Sequence, residues 1–121
     1  VYGIDEFLPA AAQGVIGIEA KAADAAVHEP LNMVNHIETL LCVSAERAAL
    51  AALSGSCHTP VGAYAVLAGN RLDLRVNVTT PDGRESFSDQ LQGTVESIND
   101  SVTLGQVCGL RLKSRVPPGI L

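Results

Sequence analysis

The sequence has no Trp and only two Phe and two Tyr in 121 residues. So few rings leave little for unstacked bases to lie on, which argues against single-stranded nucleic-acid binding. Positive charge is also scarce. Eight Lys and Arg stand against thirteen Asp and Glu, a net charge of −5, which disfavours a phosphate-backbone partner. No apolar run approaches the ~20 residues that span a bilayer, because Asp24, Glu46 and Arg47 interrupt the alanine-rich stretches. A basic start followed by an apolar segment, the mark of a secretory signal, is missing too. The cysteines, Cys42, Cys57 and Cys108, are odd in number and widely spaced, with no C-x-x-C. That fits free thiols in a reducing cytoplasm better than a disulfide framework or a structural zinc site.

What the chain does have is aliphatic material for a core: 47% of its residues are hydrophobic and 17% charged. The length suits one domain, or one domain with a piece of another. The chain opens at Val1 without Met, and Ile4 to Glu19 reads as the middle of a fold, so a piece of a longer protein is expected. Val15-Ile16-Gly17-Ile18-Glu19 reads as a short strand buried on both faces, belonging to a sheet whose other strands lie elsewhere. Asp24 to Val34 reads as a helix that Pro30 interrupts or bounds.

Asn35-His36-Ile37-Glu38 predicts a helix start, with Asn35 as cap and Glu38 three positions on. Ile37, Leu40, Leu41, Ala45, Ala48, Ala52 and Leu53 then keep one face apolar, and Gly55 is placed to end the helix. After Pro60 the period changes to two. Strands are expected over Val61–Leu67, Leu72–Thr79 and Arg84–Gln92, joined by turns at Ala68-Gly69-Asn70 and Pro81-Asp82-Gly83. A last helix near Asp100–Ser114 carries Leu104, Val107, Cys108 and Leu112 in a stripe. Gly105 and Gly109 inside it each cost about 1 kcal/mol relative to Ala. The expectation is an α+β fold: a three-stranded antiparallel sheet with helices on one face, preceded by a strand-helix remnant of an α/β domain. The division falls at residues 1–35 and 36–121.

The segment Ser54-Gly55-Ser56-Cys57-His58-Thr59-Pro60-Val61-Gly62 carries the chemical interest. A helix stops at small residues, a cysteine follows, and a proline stiffens the return. Small neighbours leave the sulfur accessible, and His58 and Arg47 could favour the nucleophilic thiolate. Spacing alone also allows an incidental loop cysteine or a Cys-His dyad for acyl transfer. A zinc site from Cys57, His58, His36 and Cys42 has no known ligand spacing, so no metal is expected. Cys42 and Cys108 read as small buried hydrophobes. Lys21, at the end of the first strand, stands where ligands collect in open α/β sheets.

Three motifs, in order, resemble the porphobilinogen deaminase (hydroxymethylbilane synthase) family. Leu8-Pro9-Ala10-Ala11-Ala12-Gln13-Gly14-Val15-Ile16-Gly17-Ile18-Glu19 is similar to its L-P-A-x-G-Q-G-x-x-G-I-E. Ala45-Glu46-Arg47-Ala48 is similar to its A-E-R-A/S helix. The cysteine loop is similar to its G-G-C-x-x-P-I/V-G. Ala12 stands where the family usually has glycine, and Ser56 replaces the glycine before the cysteine.

The resemblance implies the end of a first domain and a whole third domain, with the middle domain and the catalytic aspartate outside this sequence. It implies a transferase of tetrapyrrole (haem, porphyrin) synthesis that joins four porphobilinogen units, releasing ammonia, onto a dipyrromethane cofactor thioether-linked to Cys57. Arg47 and Lys21 are then candidate cations for the acetate and propionate groups, and Gln13 and Gly14 candidate cleft residues. No catalytic residue is expected in this chain, which is expected to be inactive alone. Its partners would be porphobilinogen and the oligopyrrole chain, met through the other domains, with neither nucleic acid nor membrane. The full-length enzyme would be a cytoplasmic monomer, whereas the exposed remnant strand could let copies of this chain self-associate. The competing reading is a non-catalytic α+β interaction module with an incidental cysteine.

Overall fold

Alternation in the central strand organises the molecule. Leu72, Leu74, Val76 and Val78 point to one face and are fully buried, while Asp73, Arg75 and Asn77 point to the other. The computed structural model describes residues 1–54 and 60–121. Its elements are α1 (Ala25–Val34), α2 (Ile37–Ala52), β1 (Val61–Ala68), β2 (Arg71–Thr79), β3 (Ser86–Thr94) and α3 (Ile98–Lys113). The strands form one antiparallel sheet in the order β1-β2-β3. Its register sets Leu74 between Ala65 and Leu91, and Val76 between Ala63 and Asp89. The expected α+β architecture, a three-stranded meander with helices on one face, is what forms.

Both long helices lie on the apolar face, α2 over β1 and β2, α3 over β2 and β3. They run parallel and unusually close. A Cβ on Gly105 would collide with the carbonyl oxygen of Ala45 and come within 2.8 Å of the Ala48 Cβ. One on Gly109 would lie 2.6 Å from the Ala49 oxygen and 2.8 Å from the Ala52 Cβ. The two glycines, a propensity cost in sequence terms, therefore face alanines and let two helix backbones touch. Asp89 adds a polar clamp from the sheet to α3, with Arg111 at 3.1 Å and Arg115 at 3.2 Å.

Helix starts differ from expectation by a residue or two. His36, not Asn35, caps α2: its Nδ1 accepts from the Thr39 N–H at 3.2 Å. At α3 the Ser97 hydroxyl accepts from the Asp100 N–H and the Asp100 carboxylate accepts from the Ser97 N–H, a reciprocal box that moves the start back to Ile98. Pro30 lies inside α1 instead of ending it. Its missing N–H forfeits a single bond to the Ala26 carbonyl, in a helix with no buried residue.

The strand expected at Val15–Glu19 is not among the sheet's three. Ile16 is 89% and Ile18 60% exposed. The segment, expected to pair in a sheet whose other strands lie elsewhere, has no strand partner among the described residues; the near edge of this sheet, β1, carries Pro9 and Glu46 on its outward N–H groups.

Filling the helix crossing tests this packing. Gly105→Ala and Gly109→Ala should each lower unfolding free energy by about 1–3 kcal/mol, although alanine gains about 1 kcal/mol in helix propensity. Urea denaturation is the measurement. A stability equal to or above the parent's would show that the helices do not need the glycines.

Candidate functional site

An edge strand must dispose of its outward N–H groups, and β1 does so with unusual partners. The Ala63 N–H donates to the Pro9 carbonyl at 2.9 Å. The Ala65 N–H donates to Glu46 Oε1 at 2.8 Å. Cys42 lines the same edge beside Leu67. Cys42 and Glu46 are four apart in α2, hence on one helix face, and that face is laid along the strand edge.

Glu46 does more than cap the strand. Its second oxygen, Oε2, accepts from the Ala12 N–H at 2.7 Å. One carboxylate, 7% exposed, thus joins α2, β1 and the Pro9–Gly14 loop. Burial pushes its pKa up, and the two backbone donors pull it back. In the sequence it is merely the second letter of the Ala45-Glu46-Arg47-Ala48 motif. The signal was there, however: a carboxylate between Ala45 and Ala48-Ala49, on the face meant for the core.

The loop that Glu46 holds is tightly turned. Ala12 has φ +62° and Gly14 φ +82°. The left-handed value at Ala12 strains any side chain and is one that glycine, the residue expected there from the motif resemblance, adopts freely. Gln13 closes the same turn, its N–H donating to the Ala10 carbonyl and its Oε1 accepting from the Ala10 N–H, both at 3.1 Å. Its side chain lines a cleft of about 310 Å³ along the β1 edge, with His36, Cys42, Glu46 and Tyr64.

The sequence candidates are only partly brought together. Arg47 is exposed and lines a different groove, about 810 Å³, between α2 and α3, with Val43, Val102 and Leu110. Gly14 and Lys21 are exposed. Cys57 and His58, with Gly55, lie outside the described residues, but both flanks are placed. The connection leaves α2 at Ser54, which takes a left-handed φ of +59°, and re-enters at Pro60 ahead of β1. Ser54 and Pro60 are both exposed.

The other two thiols are poor nucleophiles. Cys108 is fully buried, and burial, reinforced by Asp89, pushes its pKa up to about 11. Cys42 is half-buried and raised by burial first and then by the Glu46 charge.

Glu46 yields a pH test. A carboxyl raised in the folded state holds its proton more tightly there than in the unfolded chain. Its stabilising contribution is therefore complete below the ordinary glutamate pKa and is lost as pH rises through the folded value. Measured against Glu46→Gln, which cannot titrate, the parent should gain stability as pH falls from neutral toward the ordinary glutamate range. At neutral pH Glu46→Ala should cost about 2–4 kcal/mol, because two backbone N–H groups lose their acceptor. Parallel pH profiles for parent and Glu46→Gln would contradict the assignment.

Comparison with known proteins gives this arrangement a family. The model of the porphobilinogen deaminase C-terminal domain matches residues 40–114, from the first turn of α2 to the end of α3. Curated relatives called porphobilinogen deaminase include that of Paracoccus denitrificans, 41% identical over 113 residues, 93% of this chain and 35% of the relative. That of Alkaliphilus metalliredigens is 42% identical over 92 residues, 76% of this chain and 29% of the relative. That of Sorangium cellulosum is 53% identical over 76 residues, 63% of this chain and 25% of the relative. The chain thus spans between a quarter and about a third of the length of these relatives. The matched sheet, its two parallel helices and the cysteine connection between α2 and β1 lie in that C-terminal domain, and the chain belongs to the porphobilinogen deaminase family.

Proposed function

We propose that this chain is the cofactor-carrying part of a hydroxymethylbilane synthase, with Cys57 as the thioether anchor of a dipyrromethane group. The observation that carries the reading is the place of Cys57 in the family match: it falls within residues 40–114, in the connection from α2 to β1. The exposure of the connection's ends supports the reading. Both of its described flanks are exposed, whereas the other thiols sit in or against the core with raised pKa values.

The roles of the remaining residues follow from their chemistry. Bound on Cys57, the dipyrromethane supplies the pyrrole terminus from which a tetrapyrrole chain grows as four porphobilinogen units add, each with release of ammonia. Cys57 holds the anchor through a carbon–sulfur bond that water does not readily cleave, so one anchor can serve repeated turnovers. Arg47, on the exposed side of α2, and Lys21 provide cations for acetate and propionate groups. Gln13 spends its carbonyl oxygen on Ala10, which leaves its NH₂ group to donate. Gly14 lets the loop turn back beside it. Glu46, with both oxygens accepting from backbone donors, holds the loop in place.

In this reading residues 1–35 are the end of the first domain and residues 36–121 the third. The catalytic aspartate and the porphobilinogen and oligopyrrole contacts belong to the rest of the protein. The chain by itself forms no hydroxymethylbilane, and the whole enzyme works as a cytoplasmic monomer.

Intact-mass analysis of the full-length protein tests the anchor. A dipyrromethane increment should map to the Cys57 peptide, survive hydroxylamine, and vanish in Cys57→Ser. An unmodified Cys57 in active full-length protein would overturn the reading. A hydroxylamine-labile increment would instead favour a thioester and acyl transfer.

A further inference from the structure

The connection that carries Cys57 departs through a strained residue. Ser54 has φ +59°, a left-handed conformation that is strained for a residue with a Cβ. Immediately before it the last turn of α2 closes normally, with the Leu53 N–H on the Ala49 carbonyl and the Ser54 N–H on the Ala51 carbonyl, both at 3.0 Å. A serine in this position needs an external hold, and one comes from the neighbouring helix. Lys113, the last residue of α3, donates from Nζ to Ser54 Oγ at 2.6 Å and reaches the Ala52 carbonyl at 3.4 Å.

The parallel packing of α2 and α3 explains why a lysine stands there. It brings two helix C-termini side by side, so unpaired carbonyls and two dipole ends concentrate partial negative charge at one place. An ammonium at the end of α3 offsets both. It is also long and flexible enough to reach across to the hydroxyl of the turn.

We propose that Lys113 is a positioning residue for the cysteine connection. By tying Ser54 in its left-handed turn, it fixes the direction in which the chain leaves α2 toward Cys57, three residues on, and so governs how efficiently Cys57 becomes loaded. This rests on the reading of Cys57 as a covalent anchor. Lys113 acts through Ser54, and among the described residues its side chain donates to Ser54 and Ala52.

Lys113→Met in the full-length protein keeps the side-chain stem and removes the donor. The amides of Leu53 and Ser54 should then exchange at least about five-fold faster, while those of Leu72 to Val78 in β2 keep their protection. The fraction of protein carrying the covalent increment on Cys57 should fall several-fold. Glycine adopts the left-handed turn without strain, so adding Ser54→Gly to Lys113→Met should restore loading to the parent level, which loss of fold stability alone would not allow. Unchanged exchange at Leu53 and Ser54, unchanged loading, or failure of Ser54→Gly to restore it would each overturn the proposal. A parent protein with no increment on Cys57 would instead overturn the anchor reading and, with it, the purpose assigned to the tie. The exchange rates would still decide whether the tie holds the turn.

Discussion

A buried carboxylate holds this structure's working parts together. Glu46 projects from α2 into a largely buried position where water reaches it poorly, and it is kept there by two backbone N–H groups from separate parts of the chain, Ala12 and Ala65. Desolvating a carboxylate costs several kcal/mol unless its lone pairs are satisfied, and each donor left without it would cost about 1–3 kcal/mol in turn. Helix, edge strand and loop are therefore fixed relative to one another by mutual need. The Gln13 loop and the helix that leads toward Cys57 share one anchor. The same carboxylate helps close the outer edge of β1.

The helix pair is the second constraint. Gly105 and Gly109 against Ala45, Ala48, Ala49 and Ala52 bring α2 and α3 into backbone contact, in parallel. That closeness sets where both helices end, and so where Ser54 and Lys113 meet. The arrangement concentrates cations at the far end of α3: Arg111 and Arg115 on Asp89, Lys113 on the end of α2. Packing chosen for shape thereby determines the electrostatics beside the cysteine connection.

Much of the fold was legible in the sequence because it depends on local periodicity. Leu72, Leu74, Val76 and Val78 alternate without interruption, and the glycines at Gly69 and Gly83 take the positive φ their turns require. What was not legible depends on partners distant in sequence. Val15 to Glu19 has the composition of a buried strand, but a strand forms only against a partner, and it has none among the described residues. Gly105 and Gly109 looked like faults in a helix until Ala45 and Ala49 were beside them. Glu46 was in plain sight within a motif, yet its role depends on Ala12 and Ala65, 34 and 19 residues away. Of the site, the cysteine and its flanks were readable as a motif. That Arg47 and Gln13 line different cavities was not, since it turns on which face of α2 each one meets.

The central claim is that one carboxylate serves two donors, and amide titration by nuclear magnetic resonance tests it most directly. The Ala12 and Ala65 N–H groups should both shift as pH is lowered, with a single shared midpoint above the ordinary glutamate value, and both responses should disappear in Glu46→Gln. Two separate midpoints, or an Ala12 or Ala65 response that survives the substitution, would contradict a shared anchor.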